Sequence, residues 1–332
     1  MYISAIKPIN RNSQRLEALL TKISALRIAV IGDFALDFYF DFNANTTDFS
    51  IETGKQVQHA AKAKTYLGGA GNVAKNLASL GVQVDAYGLR GDDVFGREME
   101  FLAHSLQINT QQLKPEQELD TPTYSKPMQA GIEQNRLDFG TQNHQFQQFT
   151  PEIIHELAIH ASRYDWIVIN EQFQIPLLNQ ATLEYLQKFV GHRSIADLRS
   201  LGAHATQTLL KVNQAELKTI IGDLTDLEET IKNWVSSRRM PVLVTLGEKG
   251  MIYATLEEFH WEKSLPLHGT IDTVGAGDMV VAAFSAARAA EASIQEACQF
   301  ASLAAHVSIH KIGETGSANP QEIIEAYHAT RN

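Results

Sequence analysis

The chain has 332 residues, 44% of them hydrophobic and 20% charged, an ordinary globular composition with enough length for a sizeable core. Its formal net charge of -10 disfavours nucleic acid or an anionic membrane as partner, although a local pocket on an acidic protein can still hold phosphate. One cysteine, Cys298, excludes an internal disulfide and suits a reducing cytoplasm; no run approaches the ~20 apolar residues of a membrane span, and the N-terminus lacks a signal-peptide core.

Strand and helix signals alternate along the chain. The β-branched run "LRIAVIGDF" (26–34) predicts a buried strand ending in Gly-Asp. "GNVAKNLASLG" (71–81) has Val73, Leu77 and Leu80 at helical spacing and a closing glycine, and "VQVDAYGLRG" (82–91) alternates as a strand. "GREMEFLAHSL" predicts a helix, "DWIVIN" (165–170) a strand and "NQATLEYLQKFVG" (179–191) a helix stopped by glycine. "RSIADLR" and "TLLKVNQAEL" read as strands ending in polar residues, and "MPVLVTLGEKG" (240–250) as a strand running into a glycine turn. "GDMVVAAFSAARAAE" and "SIQEACQFASLAAHVSIHKIG" are Ala-rich helices. The βαβα order predicts an α/β fold: a mostly parallel sheet with helices on both faces and ligands bound beyond the carboxyl ends of its strands. Asp33, Asn170, Asp197, Asn213 and Thr245 all fall at or just after such ends. Two polar, alternating stretches at about 38–67 and 119–140 break the rhythm and suggest a small extra sheet over the site, with long surface loops as the alternative.

Five motifs carry chemistry. In "IDTVGAGDMV" (271–280), Gly275, Ala276 and Gly277 let backbone amides approach an anion, and the following helix adds its positive dipole end. A carboxylate at such a mouth repels phosphate, yet it has a purpose if it must take a proton from an attacking hydroxyl; Asp278 is placed for that, or is a plain helix N-cap. "YLGGAGNVAKNLASLG" leads a Gly68-Gly69 pair into a helix carrying Asn72, a device for holding hydroxyls, or simply a packed turn. In "IGDFALDFYF", Asp33 and Asp37 lie four apart and could accept bonds from sugar hydroxyls. In "VNQAEL", Asn213 and Glu216 could orient a water-coordinated Mg²⁺ or form a helix capping box. "VTLGEKG" could flank a nucleotide with Thr245, Gly247 and Gly250. No Walker loop is present, and "GGAGN" does not fit a dinucleotide fingerprint, which disfavours P-loop and oxidoreductase readings. His306 and His310 have metal-ligand spacing but no third ligand, so they read as ordinary helix histidines.

Taken together and in this order, the motifs resemble the ribokinase-like (PfkB) carbohydrate kinases over nearly the whole chain. "GGAGNVAKNLASLGVQVDAYGLRGDDVFGREM" (68–99) resembles the N-terminal signature of that family and "DTVGAGD" its C-terminal one. The resemblance implies a single ribokinase-like domain over 1–332, with the two inserted segments as a β-sheet lid that also forms a homodimer interface. It implies Asp278 as the base that deprotonates a sugar hydroxyl attacking the γ-phosphate of ATP, with the Gly275–Asp278 backbone as anion hole. Asp33, Asp37, Gly68, Gly69, Asn72, Asn170 and Arg199 would lie on the sugar side. Asn213, Thr245, Gly247, Gly250, Ser302 and Gly313 would lie on the nucleotide side. Mg²⁺ with ATP, Glu216 acting on it through water, and K⁺ near Asp272 are implied as cofactors. Within the family, "VIGDFALDFYF", "GGAGNVAKNLASLG" and "IEQNRLDFG" are most similar to the heptose-7-phosphate kinase type, some of which are fused to a nucleotidyltransferase not expected within these 332 residues. The chain departs from that type at "INEQFQIP" (169–176), "ADLRS" (196–200) and Ser302. Arg199 and, on the lid, Arg136 could contact an acceptor phosphate. A nucleoside or other small-alcohol kinase, or a sugar-binding relative without activity, are the competing readings.

Overall fold

A computed structural model describes residues 13–43, 46–222, 224–267, 269–312 and 315–330. The element order is α1 (Ser13–Ile23), β1 (Arg27–Gly32), β2 (Phe34–Asn43), β3 (His59–Gly69), α2 (Ala70–Ser79), β4 (Gln83–Gly91), α3 (Val94–Ser105), β5 (Asn109–Glu116), β6 (Thr123–Gln129), β7 (Ile132–Glu133) and α4 (Phe146–His160). There follow β8 (Trp166–Glu171), α5 (Gln180–Val190), β9 (Ser194–Leu198), β10 (Leu209–Asn213), α6 (Gln214–Ile221), α7 (Leu227–Arg238), β11 (Val242–Thr245), β12 (Met251–Ala254), β13 (Phe259–Glu262), α8 (Ala276–Ala289), α9 (Ile294–Ile309) and α10 (Pro320–Ala329).

Nine strands form the large sheet, in the order β13-β12-β11-β10-β9-β8-β1-β4-β5. From β11 to β5 the pairs are parallel; β12 and β13 are antiparallel and close one edge. The apolar run of β1 sits at the centre and sends Ile28 and Val30 to one face, Ala29 and Ile31 to the other. This explains why its sequence is continuous rather than alternating: both faces are covered. One layer holds α1, α2, α3, α8, α9 and α10, packed around Leu77, Phe284 and Phe300. The opposite layer holds α4 to α7, around Leu157, Leu186 and Trp234. The alanines of α8 have little bulk, which lets it lie between α2 and α9 with its residues 279–287 buried.

Local signals set the helix ends. Asn179 caps α5 in a reciprocal box with Thr182, and Gly191 ends it with φ 57. Ser293 and Glu296 do the same for α9, while the Glu296 carboxylate also receives the Arg15 guanidinium of α1 at 2.6 and 3.0 Å. That fork holds Glu296 at about pKa 2, chiefly through the Arg15 bond.

The two segments read as a lid carry the second sheet, of order β3-β2-β6-β7. It starts earlier than the sequence suggested: β2 leaves directly from Asp33, one residue beyond β1, and pairs with β3 from Phe34↔Gly69 onward. Its other face is packed on α3 through Phe38, Phe95 and Phe139.

Candidate functional site

Gln172, Asp197 and Lys211, at or near the carboxyl ends of β8, β9 and β10, meet the first turn of α8. Gly275 is its N-cap, in the left-handed region at φ 80, with no side-chain cap. A side chain could not stand there: its Cβ would be 2.9 Å from Asn72 Nδ2 and 3.1 Å from Thr315 Cγ2. Asp278 is therefore the third helical residue and not an N-cap. Its carboxylate turns sideways, accepting from Asn72 Nδ2 at 2.6 Å and from Gln172 Nε2 at 3.2 Å. Burial pushes Asp278 up to about pKa 6, the negative charge of Asp197 adds to this, and Asn72, Lys211 and Gln172 oppose it. A carboxylate so tuned is ionised at neutral pH and basic enough to take a proton from a hydroxyl.

Two cavities meet at this turn. One, of about 260 Å³, is lined by Asp37, Gly68, Gly69, Asn72, Tyr124, Lys126, Arg136, Gln172, Arg199, Val274, Gly275, Asp278 and Thr315. The other, of about 420 Å³, is lined on the polar side by Lys211, Asn213, Thr245, Gly247, Glu248, Gly250, Ser264, Thr273, Gly277 and Ser302. Its apolar side includes Met251, Leu265, Leu267, Ile271, Ala276, Val280, Ala305, His306 and Ile309. The helix start thus presents Asp278 to one cavity and the Ala276–Gly277 backbone to the other. A group bound in the larger cavity and a hydroxyl bound in the smaller would face each other across that turn.

Most residues singled out in the sequence come together here: Asp37, Gly68, Gly69, Asn72 and Arg199 line the smaller cavity, and Asn213, Thr245, Gly247, Gly250 and Ser302 the larger. Two of the others, Asp33 and Asn170, line neither cavity. Asp33 is buried and faces neither cavity; its carboxylate accepts from the backbone amides of Gln172, Phe173 and Leu177 at 2.8, 2.9 and 2.7 Å. Burial pushes it up to about pKa 6 against those three bonds. It anchors the loop after β8 rather than a ligand. Asn170 is fully buried at the end of β8 and lines neither cavity. Glu216 forms the capping box with Asn213, receiving the Asn213 amide at 2.8 Å while Asn213 Oδ1 receives its own at 2.9 Å. Asp272 accepts from the Val274 amide at 3.0 Å, and its own amide donates to the Ile309 carbonyl at 2.8 Å. Gly313 lies outside the described residues. His306, read as an ordinary helix residue, is on the wall of the larger cavity, its ring 4.6 Å from that of His310. Among the described residues no group of three or more His, Cys, Asp or Glu could hold a metal ion.

The site also contains residues that sequence reasoning missed. Lys211, in mid-strand on β10, is buried with its Nζ 2.9 and 3.1 Å from the Asp197 carboxylate oxygens of β9. The ammonium lies under the helix start, 3.4 Å from where a Cβ on Gly277 would stand. Burial alone would lower its pKa, but the charges of Asp197, Glu216 and Asp278 outweigh that and hold it raised. Lys126 of β6 pairs with Asp37 at 2.9 Å and donates to the Tyr39 hydroxyl at 3.0 Å. Arg136, which the sequence did offer as a basic lid residue, stacks over the Tyr124 ring at 5.0 Å and pairs with Asp138. Lys75 donates to the Thr315 carbonyl, which fastens residue 315 beside the helix start. A lysine inside the apolar strand "LLKVN" was the available signal for Lys211, because a buried ammonium needs a partner.

The chain is 31% identical over 315 residues to the bifunctional protein HldE of Coxiella burnetii strain Dugway 5J108-111, covering 91% of this chain and 64% of that protein. It is 28% identical over 319 residues to the bifunctional protein HldE of Sulfurimonas denitrificans, with 92% and 64% covered. The chain thus spans under two thirds of the length of these relatives. Among solved structures, a ribokinase from Arabidopsis thaliana complexed with ribose and ATP matches with TM-score 0.69 at 19% identity, over 91% of this chain and 99% of that one. Phosphofructokinase-2 from Escherichia coli in complex with potassium matches with TM-score 0.70 at 18% identity, over 92% and 100%. At such identities these two show a shared ribokinase-like fold. Residues 25–322 match the pfkB family carbohydrate kinase, so the chain belongs to the pfkB family of carbohydrate kinases.

Proposed function

We propose that the chain transfers the γ-phosphoryl group of ATP to a hydroxyl of a sugar phosphate, with Asp278 as general base. The observation that carries this is the meeting of the two cavities at the first turn of α8, with Asp278 facing the smaller one. ATP fits the larger cavity, its base against the apolar wall around Leu265, Val280 and His306 and its phosphates toward Gly277 and Lys211. Backbone amides at the helix start and the Lys211 ammonium would stabilise charge on the transferring group. The acceptor hydroxyl would reach Asp278 from the smaller cavity at Oδ1, since Oδ2 is held by Asn72 at 2.6 Å, and Asp278 takes its proton.

The acceptor class follows from charge. Lys126, Arg136 and Arg199 stand in the smaller cavity beside Asp37 and Asp278. Two planar guanidiniums suit a phosphate at the far end of the acceptor, since each offers a bidentate fork. The likeness to HldE-type proteins is consistent with a heptose 7-phosphate as that acceptor. Mg²⁺ accompanying ATP would neutralise the β- and γ-phosphate oxygens. It keeps most of its ligands as phosphate and water, and Glu216 would reach it only through water. Asp272 is the candidate neighbour of a K⁺ ion.

The reading extends to the setting of the molecule. Among the described residues no helix is long and apolar enough to cross a membrane, and Cys298 is a buried free thiol, which suits a reducing cytoplasm. Exposed Phe49, Ile51, Ile132 and Leu137 on or beside the small sheet suit a homodimer through it. The test is ADP release from Mg·ATP across free sugars, sugar phosphates including heptose 7-phosphate, and nucleosides. Turnover with phosphorylated sugars, and a raised KM for them in Arg136→Ala and Arg199→Ala, is expected. Turnover confined to nucleosides would overturn the acceptor class, and a flat panel with ATP bound would favour a binding protein without activity.

A further inference from the structure

Each oxygen of the Asp278 carboxylate already accepts one hydrogen bond. Asn72 Nδ2 holds Oδ2 at 2.6 Å, and Asn72 is buried at the start of α2, so that bond is fixed. Gln172 Nε2 holds Oδ1 at the longer 3.2 Å. Gln172 follows β8, in the segment where the chain departs from the heptose kinases. Its backbone is immobilised: the amide donates to Asp33 Oδ2 at 2.8 Å, and the carbonyl accepts from Arg199 Nη1 at 3.2 Å. Its side-chain oxygen accepts from Arg199 Nη2 at 3.5 Å. The side-chain amide is therefore oriented by charge at both ends, oxygen toward a guanidinium and N–H toward a carboxylate, and the reverse orientation would face like with like at both. Only its side-chain torsions are free to move it.

We infer that Gln172 is a positioning residue that keeps Asp278 closed until an anionic acceptor draws Arg199 away. The inference rests on the kinase reading given above. Arg199 is exposed on the rim of the smaller cavity, and an acceptor phosphate offers it charge-assisted bonds that outweigh its two contacts to neutral oxygens of Gln172, the carbonyl at 3.2 Å and the side-chain oxygen at 3.5 Å. Released from Arg199, the Gln172 amide yields Oδ1 to the acceptor hydroxyl. Before that, water in the same cavity meets a carboxylate whose basicity is lowered by a donor on each oxygen, and its deprotonation is slowed. The guarded reaction is hydrolysis: a water oxygen bonds to the γ-phosphorus, the bond from phosphorus to the bridging oxygen breaks, ADP leaves with that electron pair, and the water proton goes to Asp278. The other groups facing Asp278 are Asn72 on α2, Asp197 on β9 and Lys211 on β10, and none of them lies between Oδ1 and Arg199 in the bonding described.

The experiment measures inorganic phosphate released from Mg·ATP without acceptor, for wild type, Gln172→Met, Gln172→Ala and Gln172→Met/Asp278→Asn, with melting temperature as the check on folding. Gln172→Met keeps the length and loses the donor. Phosphate release is expected to rise at least about tenfold in both single variants, the size of one lost bond to a charged group, and to vanish in the double variant. The acid limb of that hydrolysis is expected to move to higher pH, because a donor that favours the ionised carboxylate is gone. A folded Gln172→Met that releases phosphate at the wild-type rate while still phosphorylating an acceptor would overturn the inference and leave the kinase reading standing. Absence of turnover in every protein, with water or any acceptor, would overturn both.

Discussion

Replacing Lys211 by methionine keeps the reach of the side chain and deletes its charge. In the folded chain the ammonium stands 2.9 Å from Asp197, and both side chains are 7% exposed. The variant leaves Asp197 buried without its cation, a loss of about 3–5 kcal/mol for a pair of this kind. That is a large share of the ~5–15 kcal/mol that holds a domain together. Adding Asp197→Leu removes the stranded charge, so the double variant is expected to recover most of the loss. Urea denaturation of wild type, the single and the double variant at one pH measures both steps. The reasoning is refuted if Lys211→Met lies within about 1 kcal/mol of wild type, or if the double variant is no more stable than the single one. The same single variant has a second signature. Lys211 helps hold Asp278 down at about pKa 6, so its loss is expected to move the acid limb of kcat/KM to higher pH.

Further outcomes follow from the same contacts. Asp278 binds its proton more tightly folded, at about 6, than at its ordinary 3.8. Below 3.8 both states are protonated and nothing is lost; stability falls as pH rises from there to about 6, and above 6 the penalty is complete. Asp278→Asn is therefore expected to be more stable than wild type by roughly 1–2 kcal/mol at pH 8, after discounting for partial exposure, with the gain shrinking toward pH 5 in parallel urea titrations. Gly275→Ala forces a Cβ within 2.9 Å of Asn72 Nδ2 at φ 80, so kcat is expected to drop at least about tenfold with ATP affinity little changed, as read by steady-state kinetics and nucleotide titration.

Much of this was legible in the sequence for physical reasons. Central strands such as β1 and β8 are buried on both faces and appear as unbroken apolar runs. Glycines at 275 and 69 stand where a turn demands them, and "DTVGAGD" compresses a whole helix start into seven residues. Polar-looking elements escaped notice: α4 carries Pro151 and three glutamine or threonine residues in its first turns, and β12 and β13 are four-residue strands at one side of the sheet, hidden after "LGEKG". Side-chain partners escaped for a different reason. Asp33 sits at a strand end, as a ligand would, but its three partners lie about 140 residues away at Gln172, Phe173 and Leu177. Glu216 fits a capping box and a metal-linked water equally well by spacing, and the fold uses it as the former. The smaller cavity draws Lys126, Gln172 and Thr315 from three separate segments, which no local pattern joins.

The most direct test of the account is the turnover of Asp278→Asn beside wild type, with the best acceptor and saturating Mg·ATP, together with the ATP Kd of each. The account predicts a kcat lower by about 10²–10⁴, the usual worth of a general base, with ATP bound as tightly as before. A variant that binds ATP and turns over within a few fold of wild type would contradict the central claim that Asp278 takes the proton.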